Sequence, residues 1–211
     1  MSFDRIAPYY RWLESGIFGA KLQRARIAWI DGIETPARVL IVGEGTGRFL
    51  CELLERYVDV EVDCVDASAC MLQLARGRAR RDELRVRFLH ADLLTWSPKE
   101  SVYDLIVTHF FLDCFDEVEI EKIVTKLARS GTQNAVWLLA DFFVPRDPLR
   151  KLHAKAWLWA MHRFFRVAAG ISARRLTNPS PLLETHGFRL AQRQEWRLDL
   201  LKSEMWRRKL L

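Results

Sequence analysis

Three glycines at alternate positions follow a short apolar segment and precede a helical pattern near the start of the chain. Residues 38–42 are rich in β-branched and aliphatic side chains, which is typical of a buried strand, and Gly43, Gly45 and Gly47 come directly after it. A strand, a glycine loop and a helix in this order place backbone N–H groups and open space beside a ligand. Arg48 stands where a dinucleotide-binding loop needs its third glycine, so the spacing is G-x-G-x-G and not G-x-G-x-x-G.

Strand and helix patterns alternate through the first two thirds of the chain. Patterns typical of strands cover residues 38–42, 61–65, 84–89, 103–107 and 135–143. A charged amphipathic helix that includes Val118 lies before the fifth strand; Asp116 opens it, and Ser130 and Gly131 form its C-cap. Residues 188–196 and 198–206 leave no room for a crossover, which predicts an antiparallel hairpin. The pattern therefore predicts an α/β fold with a mostly parallel, doubly wound sheet covered on both faces by helices.

Composition narrows the class of protein. The chain has 211 residues and a net charge of +6, but residues 142–211 hold 15 basic and 5 acidic side chains. That asymmetry fits a protein that binds nucleic acid or an anionic membrane surface. It equally fits a protein whose basic side chains are solvated on the outer faces of its helices and hairpin. We favour the solvated interpretation because the charges never form a block of five. The four cysteines lack CxxC spacing, and neither a leader pattern nor an apolar run of ~18 residues is present, so we expect a cytoplasmic protein with buried thiols.

Two acidic residues follow the second and third predicted strands. Asp66 lies 23 residues after Gly43, and Asp92 follows the third strand. A carboxylate in the first position can accept hydrogen bonds from both hydroxyls of a ribose, and one in the second can accept from an adenine amine. Either residue alone is better explained as a helix cap or loop residue. Together with the glycine loop they lie at the carboxyl ends of consecutive strands, where open α/β sheets bind ligands.

These segments resemble the class I S-adenosylmethionine-dependent methyltransferases over nearly the whole chain. The matching segments are residues 42–47, 65–72, 91–94 and 103–107. The resemblance implies a Rossmann-like, seven-stranded sheet whose last strand is antiparallel, and S-adenosylmethionine as cofactor with S-adenosylhomocysteine as product. It also implies that Asp66 binds the ribose, that Met71 packs on the adenine and that Asp92 binds the adenine amine. The full set of implied cofactor-binding residues is Tyr10, Gly43, Glu44, Gly45, Gly47, Asp66, Ala67, Met71, Asp92, Leu93 and His109.

The N-terminal segment adds a second likeness. Residues 3–10 resemble the F/Y-D-x-x-A-x-x-Y opening of small-molecule methyltransferases, including the quinone-modifying group, in which the final tyrosine lies over the cofactor. That tyrosine is Tyr10 here; an ordinary amphipathic helix that packs through its aromatic residues explains the pattern equally well. We expect one domain over residues 1–211, with an N-terminal helical arm in residues 1–35 and a helical lid insertion in residues 145–178.

The segment after the fourth strand bears on the chemistry. Methyl transfer needs a general base only when the acceptor carries a proton on the attacking atom, and His109 and Asp113 are the candidate catalytic residues. Asp113 could orient His109 or act alone, whereas His109 could equally contact the cofactor through its backbone only. The N/D-P-P-Y/F motif of enzymes that methylate nucleic-acid bases or glutamine is absent here, so a nucleic-acid substrate is not expected. Asp113, Asp116 and Asp141 suggest a cation site only weakly, and we predict no metal.

An aromatic, basic helix over residues 149–167 falls where this family inserts a lid. Trp157, Trp159, Phe164 and Phe165 could line an apolar acceptor pocket or belong to the core, and the basic residues between them also fit a peripheral membrane contact. We predict methyl transfer to a small apolar or aromatic acceptor. An RNA methyltransferase and a non-catalytic, cofactor-binding subunit of the same fold remain alternatives. The pattern gives neither the acceptor atom nor the oligomeric state.

Overall fold

Seven strands form a single sheet in this computed structural model, which describes residues 19–144, 176–196 and 200–209. The strands are β1 (Arg38–Val42), β2 (Glu61–Asp66), β3 (Val86–His90), β4 (Tyr103–His109), β5 (Gly131–Phe142), β6 (Phe188–Trp196) and β7 (Leu201–Arg208). Their order is β3-β2-β1-β4-β5-β7-β6; neighbours among β1 to β5 are parallel, and β7 is antiparallel to both β5 and β6. This topology confirms the predicted sheet and its antiparallel hairpin. The strand order reverses between β1 and β4, which makes their carboxyl ends the expected ligand crevice.

Helices cover both faces of the sheet because each presents one apolar side to it. The described helices are α1 (Gly19–Ile27), α2 (Arg48–Arg56), α3 (Ala69–Arg78), α4 (Glu117–Ser130) and α5 (Ser180–Thr185). On one face, the apolar side of α2 packs against alternate residues of the strands. On the other face, α4 does the same and α5 adds Leu183. Each large apolar side chain fully buried in this way contributes about 1.5–3 kcal/mol before chain entropy is counted.

The ends of α4 illustrate how local chemistry sets the boundaries. Asp116 caps the helix: its carboxylate accepts from the Glu119 backbone N–H, while the Glu119 side chain accepts from the Asp116 N–H. The helix ends at Ser130 as predicted, but Gly131 does not adopt the left-handed conformation of a glycine cap. It is extended, with φ −76° and ψ 144°, and a Cβ there would lie 2.8 Å from the Ala135 Cβ. Glycine is therefore required by close approach, and the strand begins at once.

Two apolar residues that the pattern assigned to buried positions are exposed. Leu84 lies in a 3₁₀ turn, Arg80–Arg85, and is 104% exposed, so β3 begins two residues later than predicted. Val118 is 60% exposed in the first turn of α4, because the buried side of that helix runs through residues 120, 123, 124 and 127. Both residues fit a short periodic pattern, but neither lies on the side of its element that packs against the sheet.

Several predictions concern residues outside those that the structure describes. Tyr10, the first half of the N-terminal arm and most of the lid, including the aromatic helix over residues 149–167, fall there. Within the described ranges, no helix has the length and apolar character needed to cross a membrane. The four cysteines are not joined by disulfides; Cys64 is buried as predicted, whereas Cys51 is only half-buried.

Candidate functional site

The glycine loop lies at the carboxyl end of β1 in a conformation that requires glycine. Gly43, Gly45 and Gly47 have φ values of +68°, +68° and +83°, which side chains with a Cβ rarely adopt. A Cβ on Gly43 would lie 2.4 Å from Cδ2 of Phe111, and one on Gly47 would lie 2.8 Å from Cα of Ala75. The loop is thus tightly enclosed between the turn after β4 and helix α3.

Glu44, inside this loop, caps the helix that follows. Its side chain is buried, and its Oε1 accepts from the backbone N–H groups of Phe49, at 2.9 Å, and Leu50, at 3.1 Å. These N–H groups belong to the first turn of α2, where a helix has no acceptors of its own, and a negative charge is favoured there. The carboxylate therefore fixes the loop against the helix. Any contact of Glu44 with a cofactor remains a prediction.

Asp66 connects the end of β2 to the same loop. Its Oδ2 accepts from the Gly45 N–H at 3.3 Å, and its Oδ1 accepts from the Ser68 N–H at 2.9 Å. The side chain is partly exposed. Asp66 thus holds the glycine loop, a task that the sequence did not indicate, and its contact with a ribose remains a prediction.

The residues after Asp66 are held by a helix cap. The Ser68 hydroxyl accepts from the Met71 N–H at 3.2 Å and thereby begins α3. Met71 is 3% exposed, while Ala67 is partly exposed and its carbonyl lies 3.1 Å from His90 Nε2. Met71 therefore lies in the first turn of α3, five residues after Asp66. Its predicted contact with an adenine ring remains a prediction.

The loop after β3 is fixed by a lysine from the opposite half of the sheet. Asp92 accepts from the Leu94 N–H at 2.9 Å, and Leu93 is buried. Lys126, on α4, donates to three carbonyls of this loop, those of Leu93, Leu94 and Trp96, at 2.7, 3.0 and 3.0 Å. One ammonium group thus satisfies three backbone acceptors. The sequence offered no signal for this contact beyond a lysine within an amphipathic helix.

His109, at the end of β4, is buried without a polar partner among the described residues. Its ring packs edge-on against Phe49, with centroids 4.7 Å apart, and neither ring nitrogen has a hydrogen bond. Burial, and after it the nearby Arg26 charge, hold the pKa of His109 well below its ordinary value, so the imidazole is neutral. No hydrogen bond joins it to Asp113. The prediction that Asp113 could orient His109 therefore fails, because the two side chains have different neighbours.

Asp113 has other titratable neighbours. It lies in the 3₁₀ turn Leu112–Cys114, and the Cys114 thiol donates to its Oδ1 at 3.6 Å. Burial raises the pKa of Asp113 to about 6. Asp141, near the end of β5, is buried, whereas Asp113 is half-buried; burial and then the Asp113 charge raise the pKa of Asp141 well above its ordinary value, while Lys202 lowers it. The two carboxylates are therefore close enough to influence each other's ionisation.

The predictions from sequence did not include a set of charged residues that contact one another on the hairpin beside Asp141. Glu204, on β7, is fully buried; its Oε1 lies 3.1 Å from both Lys202 Nζ and Arg193 Nη2, and its Oε2 accepts from the Trp206 indole N–H at 3.1 Å. Lys202 is 5% exposed, so the interpretation of the hairpin's basic residues as solvated is wrong at this position. The signal was available: charges at alternate positions of a strand that otherwise contains Leu201, Met205 and Trp206 share one face.

The described residues contain no group of three or more His, Cys, Asp or Glu side chains placed to hold a metal ion. Asp116 caps α4, as described above. The other two acidic residues have partners of their own: Asp113, after β4, contacts Cys114, and Asp141, near the end of β5, accepts from the Phe142 N–H at 2.8 Å.

The order of the strands in the sheet is that of the Rossmann-like fold of class I methyltransferases. Residues 39–133 match the family model of a methyltransferase domain. Residues 39–133 are therefore a methyltransferase domain of the S-adenosylmethionine-dependent kind, with S-adenosylmethionine as its cofactor.

Several named proteins are similar to this chain in sequence or in structure. The demethylmenaquinone methyltransferase of Thermus thermophilus is 35% identical over 119 residues, which are 56% of this chain and 54% of that protein. The mitomycin 7-O-methyltransferase MmcR superimposes with a TM-score of 0.72 at 17% identity, over 99% of this chain and 61% of that one. The N-methyltransferase NodS from Bradyrhizobium japonicum, whose structure was solved with S-adenosylhomocysteine, superimposes with a TM-score of 0.63 at 13% identity. The superposition covers 90% of this chain and 84% of that one. The chain thus spans about half the length of the curated relatives it matches.

Proposed function

We propose that the protein transfers a methyl group from S-adenosylmethionine to a small apolar or aromatic acceptor. The observation that carries the proposal is the convergence of the glycine loop, Asp66 and Asp92 at the carboxyl ends of β1, β2 and β3. All three are held in place by hydrogen bonds or by close packing against neighbouring elements. Such preorganisation is what a nucleoside site requires.

The side chains present fit this cofactor. Asp66 would accept from the ribose hydroxyls and Asp92 from the adenine amine, with Met71 and Leu93 as apolar neighbours of the base. The positive-φ glycines leave no side chains beside the amino-acid end, and the unpartnered ring nitrogens of His109 lie at the adjacent strand end. Tyr10, Glu44 and Ala67 complete the proposed set. When bound, the cofactor supplies an electrophilic methyl group on a sulfonium.

The acceptor side is proposed to be apolar because aromatic residues follow β4. Phe110 adopts a left-handed backbone, φ +53°, and its ring lies 5.4 Å from that of Phe142. Phe111 packs against Phe115 at 4.9 Å and against the glycine loop. We propose that these rings exclude water from a bound acceptor, since methyl transfer needs mainly alignment and dehydration. The names of the similar proteins, a demethylmenaquinone and a mitomycin methyltransferase, agree with a small organic acceptor.

Calorimetry tests the cofactor half of the proposal. We expect S-adenosylmethionine and S-adenosylhomocysteine to bind with dissociation constants on the order of micromolar, about −8 kcal/mol, and NAD not to bind. Methyl-labelled cofactor incubated with a panel of hydroquinones and phenols should then transfer label to an extractable product. Tight NAD binding without a response to either methionine nucleoside would contradict the proposal.

A further inference from the structure

Helix α1 carries two polar residues on its buried side. Gln23 and Arg26 are one turn apart and share a face of the helix, and Arg26 is 5% exposed although arginine is rarely buried. The Gln23 side chain donates through Nε2 to the Arg48 carbonyl at 3.3 Å. Arg48 is the first residue of α2 and directly follows Gly47. The polar side of α1 is therefore fastened beside the end of the glycine loop.

The Arg26 side chain reaches the carboxyl end of β4. Its guanidinium carbon lies 5.3 Å from the centre of the Phe110 ring. Phe110 follows His109, the last residue of β4, and its N–H donates to the Ala140 carbonyl at 2.7 Å, which holds this turn against β5. The Arg26 charge is also close enough to lower the pKa of His109. Arg26 thus brings a buried positive charge to the end of the strand that neighbours β1.

His109 lies beside the glycine loop, where the strand order reverses. Val42 and Thr108 are register partners in β1 and β4, so the next residues along these two strands are Gly43 and His109. The His109 ring packs edge-on against Phe49, in the first turn of α2. This is the turn to which the polar side of α1 is fastened. Contacts through α2 therefore connect α1 with the end of β4 at the expected ligand crevice.

We define Gln23, Arg26 and His109 as the α1–β4 polar cluster. Gln23 Oε1 and both ring nitrogens of His109 are buried without a hydrogen-bond partner among the described residues. A neutral imidazole has one N–H and one nitrogen that accepts, so the cluster contains two unfilled acceptors next to a buried guanidinium. A buried polar atom without a partner is costly, and a ligand that supplies the missing hydrogen bonds offsets that cost.

The α1–β4 polar cluster has the chemistry to bind a zwitterionic amino acid. A carboxylate can accept two parallel hydrogen bonds from a guanidinium, and its negative charge is favoured beside a buried positive one. An ammonium group only donates, which suits a carboxamide oxygen and the accepting nitrogen of a neutral imidazole. The amino-acid end of S-adenosylmethionine carries a carboxylate and an ammonium group on one carbon, so it supplies both kinds of partner.

We propose that Arg26 binds the carboxylate at the amino-acid end of S-adenosylmethionine, and that Gln23 Oε1 and one ring nitrogen of His109 accept from its ammonium group. The inference rests on the proposed function and extends it by assigning side chains to the amino-acid end of the cofactor. The nucleoside end is then bound by residues after β2 and β3, the amino-acid end by α1 and β4, and the glycine loop lies between them.

Calorimetry with three nucleosides tests this assignment in the wild-type protein. S-adenosylhomocysteine carries both charged groups, S-adenosyl-3-thiopropylamine lacks the carboxylate, and 5′-methylthioadenosine lacks the carboxylate and the ammonium. We expect S-adenosylhomocysteine to bind about tenfold to a hundredfold more tightly than the decarboxylated nucleoside. Equal affinity of these two overturns the inference. Failure of both S-adenosylhomocysteine and 5′-methylthioadenosine to bind instead overturns the proposed function.

Arg26→Met should remove the preference for the carboxylate. Methionine keeps much of the apolar stem but not the charge, so affinity for S-adenosylhomocysteine should fall by about tenfold to a hundredfold while that for 5′-methylthioadenosine stays within about threefold. Arg24→Met is the matched control, because Arg24 is exposed on the same helix and lies over the Trp196 ring; it should keep the preference. An equal loss for all three nucleosides would show that Arg26 only supports the fold, and would overturn the inference.

Two further variants complete the test. Arg26→Lys keeps the charge if the methionine variant does not fold; without the planar guanidinium the preference should fall by about threefold or more, and an unchanged preference overturns the inference. Gln23→Leu should weaken S-adenosylhomocysteine and the decarboxylated nucleoside alike, by about threefold to tenfold, because both carry the ammonium. Binding of 5′-methylthioadenosine should not change. Gln192→Leu, at an exposed position of β6, is the control and should alter none of the three affinities. A Gln23→Leu protein that binds all three like wild type removes Gln23 from the site and overturns the ammonium half of the inference.

Discussion

The two halves of the sheet build their ligand edges by different means. Around β1, β2 and β3, backbone conformation dominates: glycines with positive φ form the loop, and carboxylates such as Glu44 and Asp66 hold backbone N–H groups. Around β5, β6 and β7, buried side chains contact one another, as in Glu204 with its two cations and an indole. The first arrangement leaves its signature in the spacing of residues, whereas the second depends on which faces the strands turn to each other.

This difference predicts different costs for single substitutions. A backbone-centred site depends on space and loop geometry, so changes there should affect ligand binding more than folding. A buried charged cluster depends on mutual compensation, so removal of one member leaves an uncompensated charge and should affect folding first. Substitutions in the two halves can therefore separate binding from stability.

Glu204→Gln should have the largest effect on stability. The change leaves the buried Lys202 ammonium, and the more exposed Arg193, without their shared carboxylate; breaking a buried ion pair typically costs about 3–5 kcal/mol of unfolding free energy. Glu195→Gln is the control, because Glu195 contacts the same arginine from a more exposed position and should cost about 1 kcal/mol or less. Urea unfolding measures both. Equal effects of the two substitutions would show that the cluster is not a compensated unit.

Gly43→Ala should come next, and it should remove cofactor binding. The new Cβ meets the Phe111 ring at 2.4 Å, and the left-handed backbone itself costs an alanine about 1–2 kcal/mol, so a total loss of about 2–4 kcal/mol is expected. Gly77→Ala makes the same chemical change in the last turn of α3, where no atom lies within 4 Å of the new Cβ, and should stabilise by up to about 1 kcal/mol. Thermal unfolding and calorimetry report the two effects; a destabilised Gly77→Ala would remove the contrast.

Asp66→Ala should separate the hold of that carboxylate on the glycine loop from its proposed contact with a ribose. Loss of charge-assisted bonds to the ribose should lower cofactor affinity by about tenfold to a thousandfold. Loss of the bonds from Gly45 and Ser68 should cost about 1–2 kcal/mol of stability without ligand. Asp59→Ala removes an exposed carboxylate just before β2 and should change neither quantity. Unchanged affinity in folded Asp66→Ala protein would exclude Asp66 from the site.

The sequence predicted most of the fold because the strand and helix periods are strong in its first two thirds. The strand–glycine–helix segment, the Asp116 cap and the apolar part of β5 were each placed correctly. Errors arose where a short pattern fits two orientations equally well. Leu84 and Val118 match the period of their elements but face solvent, and only the packed neighbours decide which side is buried.

The candidate site was only partly accessible to sequence reasoning. Residues whose role depends on position along the chain, such as Gly43 and Asp66, could be proposed from spacing. Residues whose role depends on contacts across the sheet could not: Lys202 and Glu204 read as polar strand residues until β7 is paired with β5. The failed pairing of His109 with Asp113 has the same origin, since residues four apart after a strand end can turn to different neighbours.

Lys126→Met should have the smallest effect, and it tests whether the two halves are independent. Lys126 belongs to α4, which packs on the β4–β5 side, yet its ammonium binds three carbonyls in the loop that carries Asp92. Methionine keeps most of the side-chain stem but removes the donors, so the loop should lose order and cofactor affinity should fall by roughly threefold to tenfold, about 1 kcal/mol. Lys122→Met, one turn earlier on the same helix and exposed, is the matched control and should leave affinity unchanged.

Hydrogen exchange of residues 92–96 should rise in Lys126→Met and not in Lys122→Met, because of these two lysines it is Lys126 that donates to that loop. If affinity stays at the wild-type value while exchange rises, the loop after β3 does not contribute to the cofactor site. If neither changes, water replaces the ammonium without loss, and the glycine loop and Asp66 suffice to organise the first half without a contribution from the second.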